Sequence, residues 1–244
     1  MDSIIKSFKL KDTLSPEIWD NVKSGSAKLK PEIRKNLLQI AKDFVDSFKI
    51  ESLEIEDVLF IGSLANYNWS DYSDIDLHVI LDKSKLGADM SIVDELFDAK
   101  KRVYNTAHDI KIKGYDVELY AQDVNEKLES SAGMYSVLYN KWISEPTKEN
   151  LNFDKKSVLN KVKEFNSTLA SISKMGDGEE KIEKLNLLKD KIKKYRKGGL
   201  QIGGEYSNEN LVFKYLRRSG FMEELGNLKV KTKDSLLSVE NAEL

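Results

Sequence analysis

The sequence predicts an α/β fold in which a small mixed β-sheet with flanking helices is followed by an α-helical C-terminal domain. Short apolar runs with a two-residue period, separated by helical stripes, indicate the sheet in the first part of the chain. Beyond Pro146 and the polar run Thr147–Asn150, apolar residues recur every three or four positions. The boundary predicts two domains in these 244 residues, over 1–146 and 147–244.

Two helices are predicted before the first strand. Ser15 is a helix cap and Pro16 follows at the first helical position. Pro31 opens the second helix, whose apolar stripe is Ile33, Leu37, Ala41, Phe44 and Phe48. The apolar run Val58–Ile61 and the alternating run Ile75–Leu81 then predict two strands.

Further elements complete the first domain and build the second. The first domain continues with a helix over Met90–Ala107, strands over Ile110–Ile112 and Asp116–Ala121, and a hairpin of Met134–Leu138 with Lys141–Ile143. The second domain begins with two helical stripes, which break at Met175–Gly178 and end at Gly198–Gly199. A third helix over Glu209–Arg218 is predicted after the cap Ser207.

The strongest functional pattern lies where the first two strands meet. An apolar run ends in Gly62 and Ser63, and ten residues later Asp74 and Asp76 flank a single isoleucine in the second strand. Because side chains alternate along a strand, the two carboxylates share one face. Adjacent carboxylates repel each other, and the usual reason to keep them together is a hard divalent cation beside a bound phosphate.

Gly62 and Ser63 are candidates for the phosphate side of this site. A glycine after a strand permits a tight turn and a close approach of the backbone to a phosphate. Ser63 is predicted to cap the short segment Leu64–Tyr67, whose first N–H groups would face the ligand. The pattern therefore predicts a phosphate cradle next to a metal site.

A third acid is expected on a later strand. In the run from Tyr115 to Tyr120, alternation places Asp116 and Glu118 together on the polar face. Glu118 is preferred because it lies at the centre of the apolar alternation, between Val117 and Leu119. The sequence leaves Asp116 open as the alternative.

The segments Ile61–Ser63 and Asp74–Leu77, followed by the acidic strand, resemble the signature of the DNA polymerase beta-type nucleotidyltransferase superfamily. The resemblance extends over about residues 35–145 and implies transfer of a nucleoside monophosphate from an NTP to an acceptor hydroxyl, with release of pyrophosphate. The implied site residues are Asp74, Asp76 and Glu118 or Asp116 for two Mg²⁺ ions, with Mn²⁺ as the alternative, and Gly62 and Ser63 for the triphosphate. Many relatives have a small residue or glycine soon after the Gly-Ser pair, whereas here Asn66–Trp69 form a bulkier loop.

Composition narrows the class of protein. The chain has no cysteine, which excludes disulfides, zinc-thiolate sites and thiol nucleophiles, and favours a cytoplasmic setting. No apolar run approaches the roughly 18 residues of a membrane span, and the N-terminus lacks the layout of a secretion signal, so no membrane partner is expected. Of two histidines, His78 shares the strand face of the acids; a partly buried polar residue is favoured over a ligand.

Charge is distributed unevenly along the chain. Residues 1–150 hold 20 basic and 27 acidic residues, whereas residues 151–218 hold 16 basic and 9 acidic residues. A basic helical half beside an acidic metal-binding half suits a protein that grips a polyanion.

Two basic segments stand out in the helical half. The run Lys189–Lys197 is predicted to be a solvated helical surface. Lys214, Arg217 and Arg218 fall three or four positions apart on one predicted helix face, where they are candidates for phosphate contacts, with a solvated surface as the alternative. The segment around them is similar to the C-terminal part of phage nucleotidyltransferases.

The acceptor is the least determined part of the prediction. An RNA 3′ end is favoured by the basic helical half. The two-part layout resembles that of poly(A) polymerases, CCA-adding enzymes and oligoadenylate or cyclic-dinucleotide synthases. The alternatives are a protein hydroxyl, cyclic or oligonucleotide synthesis, a small molecule, and a nucleotide-binding module with an inactive metal site. The sequence does not determine the preferred NTP or the oligomeric state.

Overall fold

The apolar runs of the N-terminal half pair into one mixed sheet of six strands. In the computed structural model the described residues are 3–22, 27–126, 133–148 and 153–238. The strands are β1 (Trp19–Asp20), β2 (Lys28–Leu29), β3 (Ile55–Ile61), β4 (Ile75–Leu81), β5 (Lys111–Ile112), β6 (Tyr115–Asp123), β7 (Met134–Ser136) and β8 (Lys141–Ser144). The sheet order is β5-β6-β4-β3-β7-β8, and β1 and β2 form a separate pair. The fold is therefore the mixed α/β class that the sequence predicts.

Seven α-helices lie among the described residues. They are α1 (Ser3–Lys6), α2 (Pro31–Asp46), α3 (Met90–Ala107), α4 (Lys155–Ser173), α5 (Glu179–Gly203), α6 (Asn208–Arg218) and α7 (Phe221–Leu237). The helix predicted over Met90–Ala107 and the start at Pro31 are confirmed. In the described part of the chain, no helix has both the length and the apolarity needed to cross a bilayer.

One strand pair of the sheet is parallel and depends on α3. β4 pairs with β6 in parallel, whereas β3 pairs with β4 and with β7 in antiparallel fashion. A parallel pair needs a crossover between its strands, and α3 lies in that crossover. Val93, Phe97 and Tyr104 bury one face of α3 in the core, where α2 contributes its predicted apolar stripe.

Asn105 attaches α3 to the outer edge of β6. β5 pairs with that edge at Tyr115 and Asp116, and the Val117 N–H donates to the carbonyl of Ile110, just before β5. Further along, the Asn105 side chain donates to the Leu119 carbonyl at 3.0 Å and accepts from the Leu119 N–H at 3.2 Å. The asparagine thus makes the hydrogen bonds that a neighbouring strand would otherwise supply, and it fixes the middle of β6.

The helix predicted to start at Ser15 is wrong. Pro16–Ile18 form only a turn, in which the N–H groups of Ile18 and Trp19 both donate to the Ser15 carbonyl, before β1 begins. Ile18 and Trp19 are both buried, and Trp19 stacks on Trp142 at 4.7 Å. Burying two consecutive side chains in this core overrides the local helix signal.

The chain divides into two compact units, residues 9–149 and residues 1–8 with 150–244. The second unit is helical and has its own apolar core from α1 and α4–α7. The break at Met175–Gly178 and the cap Ser207 are confirmed. The end predicted at Gly198–Gly199 is wrong, because α5 continues to Gly203 and Gly204 adopts a positive φ of 63°.

Gly199 lies inside α5 because α6 packs close to it. A Cβ at this position would lie 2.4 Å from the Glu209 Cβ and 2.7 Å from the Ser207 Oγ. Gly199 is therefore explained by the close contact between α5 and α6, and it does not mark the end of a helix.

Candidate functional site

Three acidic side chains converge at the β4–β6 strand pair. Asp76 and Glu118 lie opposite each other in the parallel register, and Asp74 immediately precedes β4. One carboxylate oxygen from each of the three acids lies within 4.8 Å of the others, and all three side chains are half-buried. Oxygen ligands at this separation match the donors that Mg²⁺ and Mn²⁺ prefer.

Gly62 borders the triad, and the position of the Asp76 carboxylate requires a residue without a side chain there. It follows β3, whose last residue Ile61 pairs with Asp76, and its φ is 82°. A Cβ at Gly62 would lie 2.0 Å from the Asp76 Oδ2, so any side chain at this position would displace that carboxylate. The glycine therefore permits both the turn and the close approach of the Asp76 carboxylate to the backbone.

Ser63 does not cap a helix as predicted. It begins a 3₁₀ turn over Ser63–Ala65, which has no side-chain cap. Its hydroxyl donates to the Ser73 Oγ at 2.8 Å, and the Ser73 Oγ also accepts from the Ser70 N–H at 3.0 Å. The contact links the two ends of the loop between β3 and β4, next to the residues that precede Asp74.

The bulky loop after Ser63 is packed onto the N-terminal segment. The Trp69 Nε1 donates to the Thr13 carbonyl at 2.8 Å, and the Lys11 ammonium lies 4.9 Å from the centre of the Trp69 ring. The Lys11 N–H also donates to the Tyr67 carbonyl at 2.7 Å. These contacts hold the loop in place and occupy one face of the indole ring.

The structure separates the two candidates for the third acid. Glu118 belongs to the triad, whereas Asp116 lies at the end of β6 that pairs with β5. The Asp116 carboxylate forms an ion pair with Lys111, and its side chain is 68% exposed. Glu118 is therefore the acid positioned opposite Asp76.

Tyr120 and Lys101 form a polar layer beside the triad. Burial chiefly raises the Tyr120 pKa, followed by the interaction of its hydroxyl with Glu118 and by the charges of Glu118, Asp76 and Asp74. The Lys101 ammonium lies 3.5 Å from the centre of the Tyr120 ring. Burial lowers the pKa of Lys101, while the carboxylates of Glu118, Asp98 and Asp76 act in the opposite direction.

His78 continues the same strand face beyond the acids. Its ring stacks on Tyr120 at 4.6 Å, and its Nδ1 lies 2.8 Å from the Gln122 Oε1. Burial lowers the pKa of His78, and the hydrogen bond with Gln122 acts in the opposite direction. The histidine is thus a half-buried polar residue, the interpretation that the sequence favoured, and it is a neighbour of the site.

Sequence reasoning did not identify Tyr120 or Lys101 as part of this site. The two-residue period that placed Glu118 on the polar face also places Tyr120 there, so a signal for Tyr120 was present. Lys101 has no comparable signal, because the packing of α3 against β6 brings it to the tyrosine ring.

The three basic residues predicted to contact phosphate have different environments in the helical unit. Lys214 forms an ion pair with Glu205 at 2.6 Å. Arg218 donates to the Ser7 hydroxyl at 2.6 Å and packs over a neighbouring phenylalanine ring. Arg217 is exposed. They therefore do not form a uniform solvent-facing cationic surface.

Comparisons with known proteins give little further information. No protein-family model and no curated protein matches the chain. Among solved structures, the chain is similar to a STING-associated CdnE c-di-GMP synthase from Capnocytophaga granulosa, with 14% identity over 85% of this chain and 84% of that chain and a TM-score of 0.23. Because this TM-score is low, the function proposed below rests on the residues of the site.

Proposed function

We propose that the chain is a metal-dependent nucleotidyltransferase of the DNA polymerase beta type, which moves a nucleoside monophosphate from an NTP to an acceptor hydroxyl. The observation that carries the proposal is the convergence of Asp74, Asp76 and Glu118 within 4.8 Å. It is supported by Gly62, whose lack of a side chain leaves room for the Asp76 carboxylate. Three acids and a glycine turn at adjoining strand ends fit phosphoryl chemistry better than a solvated strand face.

The donor set fits a divalent cation. The three candidate ligands are carboxylates, which are hard oxygen donors, and Gly62 leaves room for the Asp76 carboxylate beside the backbone. Divalent ions bound there would lower the pKa of the acceptor hydroxyl and offset the charge that develops on the triphosphate. Mg²⁺ is the proposed ion and Mn²⁺ the alternative.

The proposed reaction is an in-line displacement at the α-phosphorus of the NTP. The acceptor oxygen forms a bond to that phosphorus, the bond to the oxygen that bridges to the β-phosphate breaks, and pyrophosphate leaves with its electron pair. The acceptor proton passes to solvent or to a carboxylate of the triad. Asp74, Asp76 and Glu118 hold the reactants in place, and the turn at Gly62 and Ser63 borders the triphosphate.

Lys101 and Tyr120 support the triad in this proposal. The Tyr120 hydroxyl lies close enough to Glu118 to interact with its carboxylate, and in this proposal it orients that carboxylate. The ammonium of Lys101 lies over the tyrosine ring and interacts with the charges of Glu118 and Asp76. Its positive charge offsets part of the repulsion among three clustered carboxylates.

An RNA 3′ hydroxyl is the first proposed acceptor, supported by the net charge of +7 over residues 151–218. A second candidate is a hydroxyl of another nucleotide, as in cyclic or oligonucleotide synthesis. The pairing of Lys214 with Glu205 and of Arg218 with Ser7 supports this second candidate, because it leaves less of the predicted basic cluster for a long polyanion.

The test is transfer of label from NTPs. The protein is incubated with each α-³²P-labelled NTP, Mg²⁺, and either cellular RNA or no added acceptor, and the products are separated by size. Labelled RNA supports the first acceptor, and labelled short or cyclic products support the second. Asp76→Asn is expected to abolish both, because it removes a central ligand of the triad.

Asp71→Asn is the matched control for this experiment. Asp71 is an exposed acid in the loop between β3 and β4, just before Asp76 in the sequence, and is not part of the triad. We expect this variant to retain wild-type transfer. Full activity in Asp76→Asn, with the fold confirmed by circular dichroism, would contradict the proposed function.

A further inference from the structure

Arg196 is held in one orientation within the helical unit. Its guanidinium lies over the Phe213 ring at 4.2 Å, and its Nε donates to the Asn210 Oδ1 at 3.1 Å. Asn210 is fully buried, and its Nδ2 donates to the Glu205 carbonyl at 2.7 Å. The arginine is thus fixed both on one face of the guanidinium and at its Nε edge.

The outer edge of this guanidinium is left without a protein partner by the described part of the chain. Within residues 3–22, 27–126, 133–148 and 153–238, its Nη groups receive no hydrogen bond partner and no carboxylate approaches within 4.0 Å. Glu205 is the neighbouring acid, and its carboxylate is bound by Lys214 at 2.6 Å. Neither Nη atom is among the buried polar atoms that lack a partner, so both reach solvent.

The charges and burial around Arg196 are also unusual for an arginine that forms no ion pair within the described residues. Burial lowers the pKa of Arg196, and the positive charge of Arg217 acts in the same direction, while Glu205 opposes them. A half-buried guanidinium normally has a carboxylate or phosphate partner, because removing its charge from water carries a free-energy cost. A second arginine nearby increases the attraction for an anion with more than one negative charge.

We propose that Arg196 is the centre of a phosphate-binding site, with Arg217 as its second cation. The two Nη groups present the planar fork that matches two oxygens of a phosphate, and Phe213 and Asn210 keep that fork in place before the ligand arrives. The ligand class is a phosphate ester, supplied either by the polyphosphate chain of a nucleotide or by the backbone of a nucleic acid. The Glu205 carboxylate is bound by Lys214 at 2.6 Å and forms no ion pair with Arg196 within 4.0 Å.

A purely structural role for Arg196 is the competing explanation. Through Asn210 it links α5 to α6, next to the close helix contact at Gly199. That role predicts that substitutions change thermal stability alone. The phosphate site predicts that they also change anion affinity, and the two effects are measured separately.

The experiment measures anion binding by the full-length protein in EDTA, so that the triad does not contribute through a metal. Tripolyphosphate binding is measured by calorimetry, and binding of a fluorescein-labelled single-stranded RNA by anisotropy. Arg196→Lys keeps the positive charge and removes the two planar Nη donors. We therefore expect a loss of about ten- to hundredfold in affinity for the true ligand class. Lys197→Ala, which removes an exposed neighbouring charge, is expected to change affinity less than about twofold.

The two ligands distinguish the source of the phosphate. A loss confined to tripolyphosphate assigns the site to a nucleotide, and a loss confined to RNA assigns it to a nucleic acid backbone. If Arg196→Lys does not fold, Arg217→Gln carries the test, because Arg217 is exposed; we expect it to weaken binding about two- to fivefold.

Three outcomes would overturn the inference. The first is an Arg196→Lys variant that loses thermal stability and keeps wild-type anion affinity. Another is a wild-type protein that binds neither anion in EDTA. The third is an equal loss in Arg196→Lys and Lys197→Ala, which would reduce the effect to general surface charge. Asp76→Asn is expected to bind both anions normally under these conditions, so failure of the phosphate site and failure of the proposed transfer reaction remain distinguishable.

Discussion

Replacing Gly62 with alanine should inactivate the site, because the Asp76 carboxylate or the neighbouring backbone must move by about one ångström. The added Cβ would lie 2.0 Å from the Asp76 Oδ2, whereas Cβ contacts below 3.0 Å are essentially never seen. The carboxylate, the backbone, or both must therefore move by about 1 Å. A misplacement of about 1 Å in a catalytic constellation costs on the order of a hundredfold in rate, which corresponds to about 2.7 kcal/mol in the activation free energy.

Two assays measure this effect. Pyrophosphate release from the NTP that the protein uses reports turnover, and depletion of the free Mn²⁺ signal in electron paramagnetic resonance reports ion binding. We expect turnover of Gly62→Ala to fall about a hundredfold, together with weaker Mn²⁺ binding. Alanine at a φ of 82° also costs about 1–2 kcal/mol in the free energy of unfolding.

Gly114→Ala separates the backbone effect from the displacement. Gly114 has a φ of 83°, yet a Cβ there would meet no atom within 4 Å. This variant should lose a similar amount of stability and keep both Mn²⁺ binding and turnover. If Gly62→Ala matched Gly114→Ala in all three measurements, the argument that Gly62 sets the position of Asp76 would be refuted.

Three further predictions concern residues around the triad. Glu118→Gln should reduce turnover as severely as Asp76→Asn, whereas Asp116→Asn should stay near wild type, because only Glu118 lies in the triad; the reverse ranking would reassign the third acid. Tyr120→Phe should weaken Mn²⁺ binding about tenfold by releasing Glu118, measured by the same resonance assay, and unchanged affinity would exclude a positioning role. His78→Gln should reduce the loss of stability on acidification, measured by urea unfolding in EDTA at about pH 7.5 and about pH 5.5, on either side of the usual histidine pKa.

The sign of the His78 effect follows from its environment. Burial lowers its folded-state pKa below the unfolded value of about 6.5, so protons bind the unfolded chain more tightly. Stability from neutral His78 is therefore present above about pH 6.5 and is lost as the pH falls through the folded-state pKa, by at most about 1.4 kcal/mol per pH unit. His108→Gln is the control, and an acid response that changes equally in both variants would contradict the assignment to His78.

The site acids could be predicted from sequence because their positions depend on local rules. Alternation along β4 and β6 puts Asp74, Asp76 and Glu118 on polar faces, and these rules need no knowledge of the partner strand. The choice between Glu118 and Asp116 needed the register, which pairs Asp76 with Glu118 and Asp116 with Lys111. Register between distant segments is set by packing and hydrogen bonding across the whole sheet.

The wrong helix start at Ser15 and the wrong helix end at Gly199 share a physical cause. At Ser15 and at Gly199 the local signals for helix start and helix end were present, but tertiary packing overrode them. The same limitation applies to the basic residues, where helical spacing alone could not show that Lys214 pairs with Glu205 or that Arg196 stacks on Phe213. Side-chain pairing between helices depends on which helices pack together.

The parallel pairing of β4 with β6 also makes ion binding a reporter of folding. Asp76 and Glu118 meet only after the chain has passed through the α3 crossover and returned alongside β4. A partly folded chain that lacks this pairing has no assembled ligand set, so a divalent ion added during refolding should bind only when the crossover is complete. An ion bound there as proposed would raise the free energy of unfolding with the logarithm of its concentration above the dissociation constant.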